Sequence, residues 1–73
     1  MDPDERAELV SRLFALMTSK LEDAAGEAVD GQGKGKDDRE QISRAEQIET
    51  AAKDVGLLAE ATAALLRAAT AET

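Results

Sequence analysis

The side chains that do most enzyme chemistry are missing from this chain. It contains no His, Cys, Tyr or Trp, so nucleophilic, general acid–base and metal chemistry rest on carboxylates, Lys and hydroxyls alone. Two patterns nevertheless merit a chemical test. Glu46 and Glu49 form an E-x-x-E pair at helical spacing. Carboxylate-bridged metal sites in helical bundles combine such glutamates with a Glu-x-x-His pair, and without His the two acids read as surface and flanking residues. The second pattern is DGQGKGK, residues 30–36. A phosphate-binding P-loop needs Gly at the position of Asp30 and a Ser or Thr after the lysine, because the hydroxyl holds magnesium; Asp37 stands there instead. A calcium loop starting at Asp30 would place Lys34 at a ligand position and Gln41 at the twelfth, where a glutamate is required. The segment therefore reads as a flexible Gly/Lys-rich loop. No catalytic residue, cofactor or metal site is expected, and the chain is expected not to be an enzyme.

The elements around that loop are helical. Ala, Leu, Glu and Arg dominate, Phe14 is the one aromatic residue, and a chain of 73 residues holds a single domain. A monomer of this size buries too little surface for comfortable stability without a staple or a partner. With no disulfide available, regular helix packing and oligomerisation remain. The net charge of −7 opposes unspecific attraction to phosphate or anionic lipid and keeps an apolar assembly soluble. Residues 1–30 carry eight acids against three bases, so the first half is the more acidic. No basic region followed by an apolar run opens the chain, which leads to the expectation of a cytoplasmic protein.

Asp2-Pro3-Asp4-Glu5 is a helix start: a capping carboxylate, proline at the first helical position and Glu three residues after the cap. Pro3, Ala7, Val10, Phe14, Met17, Leu21, Ala24 and Ala28 then recur at steps of four and three, a heptad seam. A second row, Leu9, Leu13 and Leu16, widens the apolar face beyond what one partner helix covers. The second helix starts with Asp37 or Asp38 as cap, and its seam runs Ala45, Ile48, Ala52, Val55, Ala59, Thr62, Leu66 and Ala69. Arg39, Glu46, Lys53, Glu60 and Arg67 stand seven apart with alternating sign, a solvated stripe. From Val55 to Ala71 little else is polar. Glu60 and Arg67 interrupt that stretch, which with its heptad spacing argues against a membrane span.

Two seams joined by a short Gly-rich loop specify an all-α fold. We expect an antiparallel two-helix hairpin, with helices over about residues 3–28 and 38–70, that oligomerises into a helical bundle or ring. Paired outward from the loop, Phe14 falls near Ala52 and Val10 near Gly56, whose cost of about 1 kcal/mol in a helix interior close packing would offset. The second helix should then overrun the first by roughly 12 Å at 1.5 Å per residue. The overrun exposes Leu65 and Leu66, so the expected oligomer interface comprises Leu9, Leu13, Leu16, Leu58, Leu65, Leu66 and Ala69.

A short first helix, a polar Gly-containing spacer and a long second helix opening DDREQISRAEQIETAAKDVGLL resemble the reduced small terminase subunits of tailed-phage and gene-transfer-agent DNA-packaging systems. The resemblance covers mainly residues 37–66. It implies a hairpin as oligomerisation core, ring assembly, recognition of DNA and regulation of a packaging motor with a large terminase as partner; for this acidic chain the DNA binding is expected to be weak or indirect. On this chain the contacts would fall to Arg6, Arg12, Lys34, Lys36, Arg39 and Arg44, arrayed by symmetry. The expected function is thus a non-catalytic oligomeric helical adaptor, in its most specific form small-terminase-like. Two alternatives stay open: an acidic inhibitor or antitoxin-like protein that masks a basic partner, and a structural subunit that docks on a partner helix.

Overall fold

The computed structural model describes residues 1–33, 35 and 37–71. Two helices, α1 (Pro3–Gly31) and α2 (Asp38–Ala71), run antiparallel along each other in a rod of 56 × 16 × 13 Å. Among the described residues there is no strand. Both helices start where side-chain caps are available. The Glu5 amide donates to Asp2 Oδ1 at 2.8 Å, with Pro3 in the first turn, and the Glu40 amide donates to Asp37 Oδ1 at 2.7 Å. Asp37 rather than Asp38 is therefore the second cap. Each bond satisfies an amide that the helix itself leaves without a partner.

Helix α1 continues to Gly31, three residues beyond the expected end. Tertiary ties at its C-terminus oppose the low helix propensity of glycine. The Gln41 side-chain amide donates to the Gly31 carbonyl at 3.2 Å, and Arg44 reaches Glu27 and Asp30 on the last turns. Of the loop expected over residues 30–36, Asp30 and Gly31 are thus helical, Lys34 and Lys36 lie outside the described residues, and Gly35 adopts φ +84°.

The longer α1 changes the register. Lys20 meets Asp54, Glu27 meets Arg44, and Gly31 meets Gln41. At the far end Met1 and Arg6 share a cleft with Leu65, Ala68 and Ala69. The start of α1 therefore reaches the last turns of α2, and the expected 12 Å overrun does not occur. Gly56 is not a point of close approach between the two helices either. It is exposed, and a Cβ built there would meet nothing within 4 Å.

The seam is rotated by one position from the expected one. Val10, Met17 and Ala24 on α1, and Ile48, Val55, Thr62 and Ala69 on α2, lie on it as expected. The positions between them are each one residue earlier: Arg6, Leu13, Lys20 and Glu27, then Arg44, Ala51, Leu58 and Leu65. The rotation half-buries Leu9 and Leu13 and brings Lys20, Glu27 and Arg44 into pairing distance across the hairpin. It leaves Phe14 and Leu21 exposed. The charged stripe Arg39, Glu46, Lys53, Glu60 and Arg67 is exposed throughout. Among the described residues, Met17 is the one buried apolar side chain and Thr62 the one buried polar residue. Two helices side by side cannot enclose more.

Glycine supplies a test of the two helix ends. Nothing lies within 4 Å of a Cβ at Gly26, which sits on the solvent side of α1, so Gly26→Ala is expected to stabilise the protein by about 1 kcal/mol. At Gly35 the positive φ strains any side chain, and Gly35→Ala is expected to destabilise by about 1 kcal/mol or more. Thermal melts followed by circular dichroism read both; shifts of the same sign would contradict these helix boundaries.

Candidate functional site

The densest polar arrangement lies where α1 ends and α2 begins. Arg44, on the second turn of α2, is presented to the last turns of α1 because Asp37 fixes the start of α2 and Gln41 ties it to Gly31. Its Nη1 donates to Glu27 Oε2 at 3.0 Å and to Asp30 Oδ2 at 3.4 Å, and its Nη2 donates to Glu40 Oε1 at 3.2 Å. The side chain is largely covered, and its Nε is buried without a hydrogen-bond partner. A shallow cleft beside it is lined by Glu27, Asp37, Arg39, Glu40, Ser43, Arg44 and Gln47. Three carboxylates converge on one guanidinium, so the cluster is anionic, and Arg44 is committed to holding the two helices together at the loop end.

The hydrogen bond to Glu40 raises the Arg44 pKa; burial opposes this, and the charges of Glu27 and Asp30 add to it. A group whose folded pKa is raised contributes stability that is fully present below its unfolded value and is lost only as pH rises through the folded one. For an arginine that window lies at extreme alkalinity, so ordinary pH changes do not discharge Arg44 itself. Salt does weaken the cluster, because three of its carboxylates are partly open to solvent. Arg44→Gln is expected to melt below the wild type at low ionic strength. The gap should narrow near 1 M salt, where the screening length falls to about 3 Å; a gap independent of salt would mean that the guanidinium acts through packing alone.

The cations expected to meet nucleic acid are not gathered on one face. Arg44 is held by three acids, and Arg12 pairs with Glu8 at 2.8 Å on the outer surface of α1. Arg6 is half-buried at the far end beside Leu65 and Ala69. Arg39 is exposed at the rim of the Arg44 cleft, while Lys34 and Lys36 lie outside the described residues. Lys20, which the sequence reading passed over, sits at the seam with its Nζ 3.4 Å from Asp54. Its signal was a polar residue one step from an apolar row, on the same side as Leu13 and Met17.

The residues expected at an oligomer interface divide into two groups. Leu9, Leu13, Leu58, Leu65 and Ala69 are half-buried along the seam of the hairpin, whereas Leu16 and Leu66 are exposed. Sequence reading did not single out Phe14, Leu21 or Leu57 for this role, yet all three are exposed. Their signal was the surplus of apolar rows on both helices. Glu46 and Glu49 are both exposed, and Glu49 lies 3.7 Å from Lys53. Among the described residues, no group of three or more His, Cys, Asp or Glu side chains is placed to hold a metal ion, and no helix is long and apolar enough to cross a membrane. Comparison of the chain with protein-family models, with curated proteins and with solved structures returns no match.

Proposed function

We propose that this chain is a non-catalytic helical adaptor that works as a self-associated bundle or ring, and that its most specific form is a small-terminase-like component of a DNA-packaging system. The single observation that carries self-association is the distribution of apolar side chains. Phe14, Leu16, Leu21, Leu57 and Leu66 are exposed on a hairpin in which, among the described residues, Met17 is the one buried apolar side chain. Large apolar side chains on both sides of a thin rod are the surface of a subunit rather than of a stable monomer.

The DNA-packaging form rests on the resemblance of residues 37–66 and on the hairpin that such a subunit needs as its oligomerisation core. Contact with DNA on this reading is weak, because the chain carries a net charge of −7 and Arg12 and Arg44 are engaged by acids. Arg39, Lys34 and Lys36 cluster in sequence around the loop, where copies arrayed together would bring several of them to one end. The same anionic balance favours, as the second reading, a basic protein partner masked by the acidic first half of the chain.

Titration of the purified assembly with duplex DNA at two salt concentrations separates the forms. Weak binding that vanishes with added salt, carried by an oligomer, is the expected result. A stable oligomer indifferent to DNA at the lower salt would remove the packaging form and leave the adaptor.

A further inference from the structure

We propose that a second copy of this chain covers the flank that carries Phe14 and Leu21, with the two hairpins parallel and their loops at the same end. The inference rests on the self-association in the proposed function and names the surface and the geometry that produce it.

With 3.6 residues per turn, the residues that follow Arg6, Leu13, Lys20 and Glu27 on α1, and Arg44, Ala51, Leu58 and Leu65 on α2, line one side of the hairpin. On α1 and α2 these residues face each other level by level: Ala7 beside Leu66, Phe14 beside Ala59, Leu21 beside Ala52. None is charged and all are exposed, with Phe14 and Leu21 each at 53% of full exposure and Leu66 at 39%. The opposite flank differs. Its loop half carries Asp23 and Asp54, and only its terminal half, with Leu16 and Leu57, is apolar. A second copy laid along that flank would bring the acids of two anionic chains together; on the Phe14 flank the loop-half acid, Glu49, stands one step outward in the row of Gly56 and lies 3.7 Å from Lys53.

Area fits one further copy. A compact folded chain of 7.7 kDa exposes about 4,300 Å² by the usual scaling of surface with mass. This hairpin exposes 5523 Å². The excess, about 1,200 Å², is more than the roughly 800 Å² that each partner hides in an interface of standard size. It matches the larger share hidden by obligate dimers.

Side-chain size selects the orientation. A two-fold axis along the length of the rod lays α1 of one copy over α2 of the other at the same level. Phe14 then stands over Ala59 of the second copy, Leu21 over Ala52 and Leu66 over Ala7, so that a large residue meets a small one at each level. A two-fold axis across the rod would instead lay α1 on α1 and α2 on α2, crowding Phe14 and Leu21 together and leaving alanines facing alanines. Gly56 borders the same flank one step outward on α2, where nothing in its own hairpin lies within 4 Å of a Cβ. Close approach of a second copy there accounts for a glycine that the isolated hairpin does not use.

Three measurements test this. The wild-type chain should sediment as a dimer at micromolar concentration. Phe14→Glu or Leu21→Glu should sediment as a monomer, with or without loss of helix, whereas Leu57→Glu on the opposite flank should remain a dimer. Because the chain lacks cysteine, a Gly33→Cys variant labelled with pyrene reports loop proximity: excimer emission from the dimer is expected. Dissociation by Leu57→Glu but not by Phe14→Glu, or a dimer without excimer, would overturn the proposal while leaving self-association in place. A folded wild-type monomer would remove both.

Discussion

Met17→Ala is expected to destabilise the protein by about 2 to 5 kcal/mol, the usual range for truncating a buried Met, Leu or Ile. Met17 is 6% exposed and the one buried apolar side chain among the described residues, at the middle of α1 where the seam is best covered. Its neighbours on the seam are half-buried, so they can partly close on the gap, which places the expected loss toward the lower end of that range. The size matters against the total. A domain of 73 residues has a net stability of roughly 4 to 11 kcal/mol at the usual value per residue. Met17→Ala therefore removes a large share of it. Met17→Leu, which keeps the volume, should cost less than about 1.5 kcal/mol. Urea denaturation at fixed protein concentration measures both, and equal midpoints for the two variants would show that Met17 is not the centre of the packing.

Thr62→Glu is the second large expected effect. Thr62 is 2% exposed, and its hydroxyl donates to the Leu58 carbonyl at 2.7 Å, so the polar atom is satisfied within α2. A carboxylate at that position lacks a cationic partner on the adjoining seam residues Val10, Leu13, Leu58 and Leu65, and an unpaired buried charge is among the costliest single changes. Loss of helix at neutral pH, with recovery on acidification as the new carboxyl takes up a proton, is the expected signature. The control is Thr62→Val, which removes one local hydrogen bond and keeps the shape. It should change stability by about 1 kcal/mol at most. If Thr62→Glu folds like the wild type, the seam must open far more readily than its burial implies.

Much of this architecture is legible in the residues. Asp2-Pro3 and Asp37 cap as their types dictate, the 3–4 spacing marks two amphipathic helices, and the stripe from Arg39 to Arg67 marks the wet side of α2. Which apolar row faces the other helix is not legible, because each helix carries more than one. Phe14 and Leu21 form as regular a heptad as Leu13 and Lys20. The row that faces the other helix is the one that also brings Lys20 to Asp54 and Arg44 to Glu27, contacts between residues distant in sequence. The Arg44 cluster is half-legible for the same reason. Glu40 and Arg44 are four apart on one helix and announce their pairing, but Glu27 joins only through the register of the closed hairpin and Asp30 only because α1 runs on past residue 28 to Gly31. Propensity argues against that continuation, and contacts made after the hairpin closes outweigh it. The short first helix supplied only part of the misplaced overrun; the rest came from pairing the two helices in the wrong register.

On the proposed reading, the surface that a second copy would cover moves from the end of α2 to the sides of the rod. Leu65 is half-buried against the start of α1, so the terminal stretch of α2 is not left bare by a mismatch in length. Exposure runs instead along the sides of the rod, through Phe14, Leu21 and Leu66 on one flank and Leu16 and Leu57 on the other. On the proposed reading a subunit with so thin a core folds and associates together, so its melting temperature is expected to rise with concentration by mass action.

Sedimentation equilibrium of the wild-type chain from sub-micromolar to high micromolar concentration, with helicity recorded on the same samples, tests self-association most directly. A mass of at least two chains, with helix lost as the assembly dissociates on dilution, is the predicted result. A fully helical species of 7.7 kDa across the whole range would contradict it.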